Sequence, residues 1–222
     1  MSAWLQTITG RAFHFDAPVV ETAHLVSEVA IVLATVPRFG GHTQQPYSVA
    51  MHSVLCAEAA LVCFDDRELA AFCLLHDAHE TWTGDITRPM QGALIDRMAM
   101  GAPVDPTATQ MVAAARAAHL KLCLRSLQAD IDRQVFAAAG LDPARHAVHA
   151  ERIKEIDVRA LRTERDHLML PAPMPWDAPI ETVEPLPVAE GHAFFDKTVW
   201  EAELRFTDAL NRFCPAFHHA AD

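Results

Sequence analysis

Between Glu68 and Trp82 the chain reads ELAAFCLLHDAHETW, a helical run that is apolar almost all round until His76. A helix without a polar face belongs in the middle of a domain, enclosed by other elements. The remaining sequence supplies such a wall. About half of its 222 residues are apolar, which supports a packed core without disulfides, and few glycines and one tyrosine favour helices over an all-β design.

Around that run the periodicity predicts further helices. The opening residues to about Pro18 are irregular or hairpin-like. A helix follows from Glu21 to about Thr35, with Leu25, Val29, Val32 and Leu33 on one side. A polar loop, PRFGGHTQQPY, leads to Ser48, a good N-cap for VAMHSVLCAEAALVC. The acidic DDRE at 65–68 suits the start of the central helix. Gly84 and Pro89 mark an irregular stretch, and 91–101 is a short polar helix or loop. Two helices are expected next, from Thr107 to about Ala129 and over 130–140, then a strong one at 151–170. The proline-rich 170–190 reads as an irregular surface connection to a last packing helix at 190–214, with Phe194, Val199, Leu204 and Leu210 apolar. The expected fold class is therefore all-α: one helical bundle domain over residues 1–222.

The formal net charge is −11, which repels polyanions and argues against a nucleic acid polymer as the main ligand. A small phosphorylated molecule stays compatible if a cation and one or two arginines invert the field locally. The five cysteines include no C-x-x-C pair and read as buried thiols in a reducing compartment. With no signal peptide and no membrane-length apolar run, the expected location is cytoplasmic, with no membrane partner.

Burying His76 and Asp77 in an apolar helix is costly unless they are paired or hold a metal. One such pair is more often a structural contact than a site. Further residues change the balance. His52 sits on the preceding apolar helix, and Glu80 lies four residues after His76, one turn on if the helix continues. Asp85 follows in T-G-D, and Asp157 interrupts RIKEIDVRAL where it would face inward with Ile153, Ile156 and Leu161. Metal-suited side chains on three core helices are hard to explain by packing. Two His and two Asp suit Mn, Fe, Co, Ni, Zn or Mg.

The order H…HD…D resembles the HD-domain superfamily of metal-dependent phosphohydrolases. HDAHETWTGDITRP at 76–89 is similar to the H-D-x-x-E-x-x-x-G-D-x-x-x-P stretch of bacterial 5′-deoxynucleotidases and related bacterial and phage HD hydrolases, and RFGGHTQQPYSVAMHS at 38–53 to their loop and helix start. The resemblance implies an HD-type bundle with its metal site between core helices. It implies His52, His76, Asp77 and Asp157 as ligands of one divalent cation, with Glu80 and Asp85 as the acidic pair handling water and leaving group. Arg38 matches a phosphate-binding arginine and Phe39 the aromatic residue after it, although the loop here is one residue shorter and richer in glycine. The relatives are often dimeric, so a homodimer is compatible. The activity implied is hydrolysis of (deoxy)nucleoside 5′-monophosphates to nucleoside and phosphate. The rival activities are a dNTP triphosphohydrolase, for example on dATP, and a di-iron HD-fold oxygenase, for which His79 is the nearby extra ligand. A silent binding module is the remaining option.

Other residues carry weaker expectations. His42, in the GGHT loop, is a candidate substrate contact although an exposed loop His is the default. Arg88 is a phosphate contact or a surface arginine. Glu164 reads as part of a solvated helix end, with a salt bridge to Arg38 or Arg88 as the alternative. Trp82 reads as core or pocket wall. His119, His146, His149, His167 and His192 read as surface residues, and His218 and His219 as a tail.

Overall fold

The computed structural model describes residues 3–100 and 106–218 and shows an all-α bundle with one small hairpin. Strand β1 (Trp4–Gln6) pairs antiparallel with β2 (Ala12–His14), placing Leu5 opposite Phe13. Phe13 is fully buried and its ring stacks on Trp82 at 4.4 Å. Arg11, between the strands, forks onto Glu28 with bonds of 2.8 and 2.7 Å. The hairpin is thereby locked to the first helical segment. That segment comprises α1 (Thr22–His24), a π-helical stretch (Leu25–Ala30) and α2 (Ile31–Thr35). Leu25, Val29 and Leu33 are buried as the periodicity requires.

Helix α3 (Val49–Phe64) begins where Ser48 Oγ accepts the Met51 N–H, and α4 (Arg67–Leu75) where Asp66 accepts the Leu69 N–H at 2.9 Å. The central run does not continue as one helix to Trp82. It ends at Leu75, passes through tight turns at 76–79 and resumes as the short α5 (Glu80–Thr83). Hydrogen bonds there span three residues instead of four: Ala78 to Leu75, Glu80 to Asp77, Thr81 to Ala78. Neither glycine nor proline marks this break.

Helix α6 (Arg88–Met100) begins one residue before Pro89, which occupies its first turn, where proline is tolerated. The two helices expected across 107–140 are one, α7 (Pro106–Ala138), because nothing near Asp130 breaks it. Helix α8 (His146–Leu168) starts five residues before the expected position, out of a 3-10 turn at Pro143–Arg145. The proline-rich stretch contains α9 (Ala178–Thr182), whose buried Ile180 packs beside Val158 and Leu161 of α8.

The last helix, α10 (Val199–Phe213), starts well after residue 190. Thr198 and Glu201 form a reciprocal capping box that sets this start. Its buried face is Ala202, Phe206, Ala209, Leu210 and Phe213, while Val199 and Leu204 are exposed. Helices α3, α4 and α8 each pack on the other two, and α10 covers α3 and α4 from behind. Of the cysteines, Cys56, Cys73 and Cys214 are buried, but Cys63 and Cys123 are exposed. Among the described residues no helix is long and apolar enough to cross a membrane.

Candidate metal centre

The junction of α3, α4 and α8 brings together the four expected donors. His52 lies in the first turn of α3, His76 and Asp77 follow the end of α4, and Asp157 sits midway along α8. His52 Nε2 is 3.3 Å from His76 Nε2, 3.5 Å from Asp77 Oδ2 and 3.5 Å from Asp157 Oδ1. His76 Nε2 is 3.3 Å from Asp77 Oδ2 and 4.0 Å from Asp157 Oδ1. Donors held ~2.1 Å from a common cation stand ~3.0–3.4 Å from their neighbours and ~4.2 Å from a donor directly opposite. The observed separations fall close to that range.

The imidazole tautomers point the same way. His52 Nδ1 is 2.7 Å from Glu164 Oε1, and His76 Nδ1 is 2.7 Å from the Cys73 carbonyl, one of the free carbonyls at the end of α4. A carbonyl and a carboxylate only accept, so each Nδ1 donates, and each neutral ring presents a bare Nε2 lone pair. Two such lone pairs face each other at 3.3 Å. Their repulsion is relieved only by a positive species between them, a proton or a cation. The surrounding charge favours it. Burial and Arg38 oppose protonation of His52, yet Cys56, Glu164 and Asp157 push it well above the ordinary imidazole range. Burial would raise Asp157 and Asp77, but the neighbouring imidazoles and Arg38 hold both carboxyls below the usual value.

Glu164 is fully buried, not part of a solvated helix end. Besides His52 it accepts the Tyr47 hydroxyl at 3.0 Å, and its Oε2 is 3.7 Å from Arg38. A carboxylate behind a ligating imidazole fixes the ring and raises its basicity. The signal for it was available: Glu164 lies seven residues after Asp157, on the same helix face.

Arg38 reaches the same centre, with NH1 3.6 Å from Asp77 Oδ2 and Nε buried without a hydrogen-bond partner. Burial works against its charge, but Glu164, Asp77, Asp157 and Asp85 outweigh it and hold the guanidinium firmly protonated. Phe39, the next residue, adopts left-handed dihedrals (φ 56°, ψ 24°), uncommon for an aromatic side chain. The loop is nevertheless pinned, because the Arg38 N–H donates to Tyr47 O and the Gln44 N–H to Leu168 O. The Phe39 ring lies edge-on to Trp176 at 6.2 Å. His42 is exposed and is not drawn to the centre. It lines a separate surface cavity of about 470 Å³ with Arg165 and Trp176 that includes none of the four donors.

Glu80 is placed differently from the expectation. The turns at 76–79 are tight, so residues three apart share an edge, and Glu80 stands beside Asp77. The ligand atoms of Asp77, His79 and Glu80 lie within 4.8 Å of one another. Glu80 Oε2 is buried without a partner. Burial, with the carboxylates of Asp77 and Asp85, pushes Glu80 up to about 8. Asp85, half-buried after Gly84, is also raised by burial, with Arg38 partly offsetting it. Its Gly84 neighbour has φ 71°, which a side chain would resist. His79 is buried, with Nδ1 3.0 Å from Asp132 Oδ1.

The remaining residues divide between expected and unexpected placements. Arg88 is largely exposed but bonds Asp157 Oδ2 at 3.2 Å. His149 is buried and bonded to Glu68, His146 stacks on Phe136, and His167 stacks on Phe195, so these three are not free surface groups. Trp82 is core. His218 approaches the Arg212 carbonyl, and His219 lies outside the described residues.

Fold and cluster together define a class: an all-α bundle whose His, Cys, Asp and Glu groups are compatible with an HD-type metal centre. No family model matches the sequence. The chain is 26% identical over 197 residues to an Escherichia coli (strain K12) protein named "Uncharacterized protein YfdR", covering 86% of this chain and 90% of that one.

Proposed function

We propose that this chain is a metal-dependent phosphohydrolase of the HD type acting on small nucleotides, with (deoxy)nucleoside 5′-monophosphates as substrates and nucleoside and phosphate as products. The observation that carries the proposal is the convergence of His52, His76, Asp77 and Asp157, with the two imidazole Nε2 atoms facing each other at 3.3 Å. These four would hold one divalent cation, of the Mn, Fe, Co, Ni, Zn or Mg group. The chemistry such a cation supplies is neutralisation of phosphate charge and acidification of water towards neutral pH.

The protein's own groups would do the rest. Arg38 has an unpartnered Nε and two loose carboxylate contacts, so it retains donors for a phosphate. Glu80 offers a buried, unpartnered carboxyl oxygen beside Asp77; a cation held by Asp77 would offset the carboxylate charge that keeps Glu80 protonated and free it to accept a proton from the attacking water. Asp85 would orient that water or protonate the leaving ribose oxygen. Phe39, backed by Trp176, offers an apolar wall for sugar or base.

The test is release of phosphate or triphosphate from a panel of mono- and triphosphate nucleotides, with Mn, Co and Mg compared. Phosphate from monophosphates is expected, and triphosphate release would move the activity to the dNTP class. Asp77→Ala should abolish metal binding and turnover, whereas Glu80→Gln should abolish turnover with metal retained. Full activity in either variant refutes its assigned role. The Asp77, His79 and Glu80 group is the feature that favours a second cation and the oxygenase alternative. Two irons per chain with a visible absorption band, and no phosphatase activity, would select it.

A further inference from the structure

One more ligand-forming atom lies at the same junction. Cys56 follows His52 by four residues on α3, one full turn along the same face. Its Sγ is 3.7 Å from His52 Nε2, and the ligand atoms of His52, Cys56 and His76 all lie within 4.8 Å of one another. A sulfur at ~2.3 Å and a nitrogen at ~2.1 Å from one five-coordinate cation stand ~3.1 Å apart at a right angle and ~3.8 Å apart at ~120°, and the observed gap falls between. Cys56 is buried, so its sulfur is shielded from exchange with outside thiols. Cys56 thus adds a buried third donor atom to the His52–His76 pair.

We propose that Cys56 is a thiolate ligand of this centre, forming with His52 and His76 a face that favours soft or borderline cations such as Zn²⁺ and Co²⁺ over Mg²⁺. The inference rests on the metal centre proposed above. Binding breaks the S–H bond, forms a sulfur–metal bond and releases the proton to solvent, with no change of oxidation state. Thiolate ligation selects against hard cations, which prefer oxygen. Without a cation, Cys56 Sγ and His52 Nε2 remain in contact at 3.7 Å.

Cobalt absorption tests this without any turnover. The Cys63→Ser/Cys123→Ser background removes the two exposed thiols, one of which sits 3.6 Å from His119 and would bind cobalt at the surface. With Co²⁺ added, this protein should show visible ligand-field bands and an ultraviolet thiolate-to-cobalt charge-transfer band. Adding Cys56→Ser should abolish the charge-transfer band while the visible bands persist. Visible bands without charge transfer, or charge transfer that survives Cys56→Ser, overturns the proposal. Absence of both at saturating Co²⁺ overturns the metal centre itself, which separates the two failures. X-ray absorption of the zinc-loaded background protein needs no change at Cys56. A sulfur scatterer at ~2.3 Å is expected, and a shell of only nitrogen and oxygen at ~2.0–2.1 Å overturns the proposal.

Discussion

Replacing Glu164 by Gln keeps the volume of a fully buried side chain and removes one negative charge behind His52. The carboxylate receives the His52 Nδ1–H at 2.7 Å and the Tyr47 hydroxyl at 3.0 Å, with Arg38 at 3.7 Å. A hydrogen bond to a charged group contributes roughly 1.5–3 kcal/mol, against roughly 0.5–1.5 kcal/mol for a neutral one. The His52 bond alone should therefore weaken by about 1–1.5 kcal/mol, and Nε2 becomes less basic. Including the Tyr47 bond brings the loss to about 2 kcal/mol, or roughly 30-fold in metal affinity. This falls within the roughly 10- to 100-fold range seen for groups supporting a metal ligand. Calorimetric titration of Mn²⁺ into metal-free protein measures it, with circular dichroism confirming the fold. Tyr47→Phe, which leaves the charge in place, should lose clearly less. Unchanged affinity in Glu164→Gln, or an equal loss in Tyr47→Phe, would refute the role given to the carboxylate.

Other outcomes follow from the same geometry. Arg38→Lys keeps the charge but loses the guanidinium fork, so KM should rise roughly tenfold while metal affinity holds; steady-state kinetics beside metal titration decides this. Arg11→Ala strands the fully buried Glu28 carboxylate and should cost about 3 kcal/mol in urea unfolding. His79 supplies a pH dependence. Burial opposes its charge, but Asp132, followed by Asp77 and Glu80, raises it from 6.5 to about 9. In metal-free protein its contribution to stability should be complete below about 6.5 and fade as pH rises through about 9, and Asp132→Asn should flatten that slope in thermal melts.

The convergence of His52, His76, Asp77 and Asp157 was legible in the sequence because each interrupts an apolar helical pattern, and a polar side chain in such a place needs a partner. The hairpin, the α3 cap and the buried α4 were legible from pattern and capping chemistry. The break after Leu75 was not. HDAHE contains no glycine or proline, and the tight turns at 76–79 carry no local sequence mark. In that turn the ligand atoms of Asp77, His79 and Glu80 draw within 4.8 Å of one another. Glu164 was hidden inside the charged string RTERD, where composition suggests solvent although the helical face points inward. Cys56 was hidden for the opposite reason, since a thiol in an apolar helix counts as one more small hydrophobe. His149 also depended on tertiary context, its partner Glu68 standing 81 residues away. The start of the final helix depends on the Thr198–Glu201 capping pair, which apolar spacing alone does not reveal.

The most direct test of the central claim is anomalous diffraction from a crystal of manganese- or zinc-reconstituted protein, recorded at the metal edge. A peak should lie ~2.0–2.2 Å from His52 Nε2, His76 Nε2 and one oxygen each of Asp77 and Asp157. A fully loaded protein with no peak between those side chains, or with its metal elsewhere on the chain, would contradict it.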